Sequence, residues 1–237
     1  MKTILHKANE RGHANHGWLN AYHSFSFASW YNPEKIQFGM LRVLNDDTIA
    51  AGMGFGTHPH DNMEIITIPL EGDLAHKDSM GNGTIIKSGD IQVMSAGTGI
   101  QHSEFNPNHD QHTKLFQIWL FPKFRNVEPR YQQITLDQSL QKNDFAQILS
   151  PNPDDAGVWI HQDAWFYLSD FDADFSKKLS LKKEGNGFYI MNIEGEIEIN
   201  GEKLERRDAA GIWETNEIEI KANSSSKFLV MEVPMEQ

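Results

Sequence analysis

No apolar stretch of this chain runs long before a glycine, proline, asparagine or aspartate interrupts it, and the stretches are rich in β-branched and aromatic residues. Short segments bounded by turn formers suit the strands of sandwiches and barrels and are too brief for ordinary helices. The pattern predicts strands over residues 38–44, 64–70, 84–87, 91–94, 115–121, 188–193, 196–199, 217–221 and 228–233. Helix candidates are few, with 137–143 the best of them, so the expected class is all-β with few short helices.

The strand rhythm breaks once. Between Pro122 and about Asp155 the chain carries Pro129, Pro151 and Pro153 among many polar residues, which marks a connection between two units. Two halves of a 237-residue chain can each bury a workable core of their own. The second half echoes the first: Ile68-Pro-Leu-Glu-Gly-Asp73 returns as Asn192-Ile-Glu-Gly-Glu196, Gly89-Asp90 as Arg207-Asp208, and the run Leu115 to Pro122 as Lys227 to Pro234. The expected division is therefore 1–134 and 135–237, two related β-units. Only the first unit is rich in histidine, since none follows His161.

The chain has no cysteine, so a metal would have to be held by imidazole and carboxylate. A formal charge of −12 opposes contacts with phosphates, and basic residues are scattered apart from Lys177-Lys178, Lys182-Lys183 and Arg206-Arg207, so direct nucleic-acid binding is not expected. The first residues, Met1-Lys-Thr-Ile-Leu-His-Lys7, contain only two adjacent aliphatics, and no later run is long enough for a membrane span. The expectation is a cytoplasmic protein without membrane contact.

Two elements carry the chemistry. In Gly52-Met-Gly-Phe-Gly-Thr-His58-Pro-His60 the histidines lie two apart, and on an extended backbone residues i and i+2 project from one face. His102-Ser-Glu104, after a second glycine-rich approach, repeats the spacing. If the two segments meet, three imidazoles and a carboxylate converge, a donor set that suits a divalent transition metal with coordination positions to spare. Glu64 would share the histidine face if the strand ran on from His60, which would make it a partner behind the ligands. His13, His16 and His23 share no common face, His109 and His112 fall in a polar loop, and His76 and His161 stand alone; none is assigned as a ligand. Trp18, Trp30, Phe25 and Phe27 could line a pocket for a flat aromatic molecule, although alternating aromatics on strands are more often core.

Gly52-x5-His58-x-His60-x3-Glu64-x7-Gly72 resembles the first cupin motif, and Gly89-x7-Gly97-x4-His102-x3-Asn106 a stretched form of the second. More specifically, His58-Pro-His60, Leu70-Glu-Gly-Asp73, His76-Lys-Asp-Ser79, Gly89-Asp90 and the run Met94 to Glu104 resemble the pirin family, with similarity reaching from Gly17-Trp18 and Ser24 to Phe27 as far as Pro122. The resemblance implies a monomeric bicupin, two cupin-type β-barrels or jelly rolls, with one divalent metal held by His58, His60, His102 and Glu104 in the first. Iron(II) is the expected ion, with Zn, Ni, Co, Mn and Cu compatible. For bacterial members it implies a quercetin 2,3-dioxygenase that cleaves a flavonol with O2 and releases CO, with Glu104 as base as well as ligand, or else Glu64. The alternative implied by regulatory members is a non-enzymatic metal- or redox-sensing protein that acts through a protein partner.

Overall fold

The computed structural model describes residues 1–236, and among them helical structure is confined to two 3₁₀ turns, Ala8–Glu10 and Gln138–Gln141. The second falls in the segment expected to be helical; Asp137 accepts a hydrogen bond from the Ser139 amide and caps a single turn. Among the described residues all other regular structure is strand, and no helix is long and apolar enough to cross a membrane.

Each half is a seven-stranded sheet packed on a four-stranded one. In the first half the large sheet runs Arg130–Thr135, Asp90–Ser95, Glu64–Glu71, Thr113–Leu120, Leu41–Ile49, Leu19–His23, Gly12–Asn15, and the small sheet runs Gly54–His60, Ile100–Phe105, Asp73–Asp78, Gly83–Lys87. The second half repeats the order with Ala209–Trp213, Asn186–Glu194, Ser226–Pro234 and Trp165–Phe171 at the centre of its large sheet. Its small sheet is Ser176–Ser180, Glu217–Ala222, Ile197–Ile199, Glu202–Leu204. The echoed segments occupy matching places: Glu64–Glu71 beside Thr113–Leu120 in one half, Asn186–Glu194 beside Ser226–Pro234 in the other. Gly89 and Arg207 also correspond, each in the left-handed region (φ 95° and 67°) immediately before the aspartate that leads into a strand. The sheets of each half face one another as an open jelly-roll-like sandwich and do not close into the barrel also expected.

The two large sheets are buried on both faces, which is why their central strands read as continuous apolar runs. In Asn186–Glu194, Phe188 and Ile190 fill the interior of the second sandwich, whereas Tyr189 and Met191 join a core shared with Leu44, Ile66, Phe116 and Ile118 of the first half. Arg207 crosses the same junction, donating to Asp46 at 2.9 Å and lying 5.5 Å from the Phe116 ring centre. The division expected at 134/135 places the N-terminal strand in the first unit, but Lys2–His6 hydrogen-bonds along Ala209–Trp213 and extends the second half's sheet. The chain then crosses to the first sandwich, with His6 Nδ1 2.9 Å from the Tyr189 hydroxyl.

The interiors differ. The second sandwich is filled by Phe171 and Phe228 of its large sheet and by Leu179, Ile218 and Ile220, which lie on the strands matching those that carry His58, His60 and His102 in the first. The first sandwich is left with a cavity.

Candidate metal centre

The Gly54–His60 and Ile100–Phe105 strands pair antiparallel, with His102 directly opposite His58. Their backbones approach so closely that a Cβ on Gly54 would fall 2.2 Å from the Glu104 carbonyl oxygen, so the glycine is a steric requirement. A bulge between His102 and Glu104 shifts the register, and across the other edge Glu104 faces His76. The His58, His60 and His102 rings stand 4.5–4.9 Å apart, centre to centre, and offer ring nitrogens all within 4.8 Å of one another. His102 also belongs to a second set, wholly buried, with Glu104 and His76.

The local hydrogen bonds leave these donors free for a cation. His58 places Nδ1 2.8 Å from the Gly56 carbonyl, so its Nε2 is unspent. His60 Nε2 and His102 Nε2 lie 3.1 Å apart, and the buried His102 Nδ1 has no partner. Burial, then the neighbouring His58, pushes His60 down to about 4 and His102 to about 2, so both rings are neutral near pH 7, the form that ligates. Gln117 Nε2 donates to both Glu104 oxygens at 3.2 Å and fixes that carboxyl in place. Burial outweighs those bonds and pushes Glu104 up to about 7. Three imidazoles and one oriented carboxyl fit a first-row divalent ion.

A raised carboxyl pKa means that a proton competes with the ion. Below about pH 7 Glu104 is protonated, so its share of metal affinity falls about tenfold per pH unit as pH drops; above that pH its share is complete and the pH dependence disappears. Calorimetric titration with nickel(II) between pH 5 and 8 is expected to show this slope in the native protein and a slope lower by about one in Glu104→Gln. Equal slopes would remove Glu104 from the ligand set.

Glu64 is not brought to the cluster. Asn62, in the left-handed region at φ 45°, turns the chain after His60 and ends the alternation on which the expectation rested. On the next strand Ile65 lines the cavity, while Glu64 faces the other way and accepts from Ser95 Oγ at 2.6 Å. His76, left unassigned in the sequence, is within the cluster. Asp78, held by the Met80 and Asn82 amides, takes His76 Nε2 at 3.2 Å, and the other ring nitrogen is buried without a partner. The signal was present in His76-Lys-Asp78, the same i, i+2 spacing as the two ligand pairs, but not the register that sets it beside Glu104.

The cluster opens on a cavity of about 420 Å³ between the two sheets, walled by Trp18, Phe27, Phe55, Ile65 and Trp119, with Asn45, Asp47 and Gln117 among its polar residues. Of the four aromatics singled out in the sequence, Trp18 and Phe27 line it, Phe25 is core, and Trp30 does not reach it.

Fold and site together define a bicupin in which, among the described residues, histidine and carboxylate donors that could hold a metal ion cluster in the first domain alone. Residues 5–120 match the family model Pirin and residues 147–233 the model of the quercetinase C-terminal cupin domain. The chain belongs to the pirin family. It is 44% identical over 230 residues to a protein of Escherichia coli K12 named quercetin 2,3-dioxygenase, covering 97% of this chain and 98% of that one. A pirin-like protein of Caulobacter vibrioides is 39% identical over 222 residues, covering 93% and 95%. The crystal structure of E. coli YhhW superposes with a TM-score of 0.94 at 43% identity over the whole of both chains. The same bacterial pirin in complex with nickel(II) gives 0.93 at 42% identity, covering 98% and 99%.

Proposed function

We propose that this protein is a metal-dependent dioxygenase that opens the heterocycle of a flavonol such as quercetin with O2 and releases CO. The observation that carries the reading is a single cavity that joins the His58, His60, His102 and Glu104 donors to walls of Trp18, Phe27, Phe55 and Trp119. Its volume falls within the roughly 300–1,000 Å³ of small-molecule sites. The name of the E. coli relative supports the same substrate class.

His58, His60, His102 and Glu104 would hold one divalent ion, iron(II) in our reading, with nickel(II) favoured as the alternative by the relative's complex. Such an ion supplies Lewis acidity that lowers the pKa of the flavonol 3-hydroxyl and an electronic route to O2. The aromatic walls stack the planar rings and, with Ile65, exclude water from the reacting edge. Glu104, whose carboxyl is held by Gln117 and has a pKa near 7, would take the hydroxyl proton as well as help to hold the ion. Both atoms of O2 enter the ring-opened ester and one ring carbon leaves as CO, so no external reductant is required.

Oxygen uptake by metal-loaded protein with quercetin tests the proposal, one O2 being consumed for each quercetin. His58→Ala is expected to lower the rate by about a hundredfold or more, equivalent to about 2.7 kcal/mol of barrier. Absence of uptake by the loaded protein, or an undiminished rate in the variant, would reject the assignment.

A further inference from the structure

The strand Leu41–Ile49 alternates so that Asp46 points to the domain junction, where Arg11 and Arg207 meet it, while Asn45 and Asp47 point into the cavity. Asn45 is engaged by His23, with 2.9 Å between Asn45 Oδ1 and His23 Nδ1, and Gln117 is engaged by Glu104. Asp47 is different. The residue is 5% exposed, its Oδ1 is buried with no hydrogen-bond partner, and no ion pair reaches it among the described residues. A carboxyl group in such a place costs folding free energy, since burial without a partner forfeits the hydrogen bonds of water. A core of this size could carry an apolar residue there at no loss to packing. The arrangement makes sense when a ligand supplies the missing partner.

Where Asp47 sits limits what that partner is. Its strand belongs to the large sheet, whereas His58, His60 and His102 project from the small sheet on the opposite side of the sandwich. The backbones of packed sheets lie of the order of 10 Å apart, so a ligand anchored by one end at the histidines presents its other end, or the flank of a second ring, to Asp47 on the facing sheet. We propose that Asp47 is a specificity-determining residue whose carboxyl hydrogen-bonds a ring hydroxyl of a polyhydroxylated aromatic substrate, remote from the group held at the histidine cluster. This rests on the flavonol reading above and adds to it a preference for substrates hydroxylated away from the chelating edge.

The test compares two flavonols on nickel(II)-loaded protein under argon, read by quenching of tryptophan fluorescence, because Trp18 and Trp119 line the cavity. Quercetin carries ring hydroxyls beyond its chelating pair, and 3-hydroxyflavone carries the chelating pair alone. Asp47→Leu is expected to weaken quercetin about tenfold or more and 3-hydroxyflavone by less than about threefold, because a site built to bond a hydroxyl discriminates by that bond. Its melting temperature is expected to equal or exceed that of the native protein, which separates lost recognition from lost folding. Asp47→Asn keeps the shape and is expected to weaken quercetin about threefold to tenfold with 3-hydroxyflavone within about twofold; should the leucine variant not fold, this one decides. Equal losses for the two flavonols, or none for either, would overturn the role of Asp47 and leave the flavonol reading standing. Failure of the native protein to bind either flavonol would overturn both.

Discussion

In His102→Ala, metal content is expected to fall from about one ion per chain to below about a tenth, and quercetin-dependent oxygen uptake to disappear with it. This residue has the largest expected effect because it belongs to both sets of clustered donors, with His58 and His60 on one side and Glu104 and His76 on the other. Its ring faces His60 Nε2 at 3.1 Å and makes no hydrogen bond at Nδ1, so little of the metal-free fold depends on it. The fold should persist, and thermal melting shows the difference. Nickel(II) at about a thousand times its dissociation constant stabilises a binding-competent protein by about 4 kcal/mol and leaves the variant where it was. Glu64→Gln is the control, because Glu64 is bonded to Ser95 on the opposite face of its strand and should leave metal content intact. A full equivalent of tightly held metal in His102→Ala, or its loss in Glu64→Gln, would contradict the ligand assignment.

Phe116→Ala is expected to destabilise the chain by about 3–5 kcal/mol and lower the melting temperature by about 6–20 °C. Phe116 is fully buried in the core shared by the two sandwiches, beneath Arg207 and together with Tyr189, Met191 and Leu229 of the second half. The cavity left behind lies between two sheets that are each held by neighbouring strands, so it collapses poorly. With the core shared in this way, and with Lys2–His6 sewn into the far sheet, both halves are expected to unfold in one transition in the native protein and the variant alike. Calorimetry that resolved two transitions, with only the first shifted by the substitution, would show that the junction does not couple the domains.

The sequence discloses the clustered donors of the small sheet better than the strand that faces them. His58-Pro-His60 and His102-Ser-Glu104 are legible because a side-chain period of two is a local property of extended backbone, and the structure keeps each pair on one side of its strand. Glu64 failed for the same local reason: one left-handed residue, Asn62, breaks the parity. The predicted strand stopped at Leu44, because Asn45, Asp46 and Asp47 follow one another and are poor strand formers. Pairing with Thr113–Leu120 on one side and Leu19–His23 on the other holds them extended, and that strand carries Asp47 into the cavity. His76 and the N-terminal strand were hidden by distance along the chain. No local pattern tells that Glu104 will lie beside His76, or that Lys2–His6 will pair with Ala209–Trp213 some two hundred residues away. The echo between the halves, in contrast, was readable in residues 115–122 and 227–234 because these fall on largely buried central strands, Thr113–Leu120 and Ser226–Pro234, where few residue types are tolerated.

The central claim is that one divalent ion sits among residues of the first sandwich and none in the second. Anomalous diffraction from a crystal of nickel(II)-loaded protein, recorded at the metal edge, tests it directly. The account predicts a single peak per chain at about 2.1 Å from ring nitrogens of His58, His60 and His102 and from a Glu104 oxygen. A peak that omits any of these four, or one lodged in the second sandwich, would contradict it.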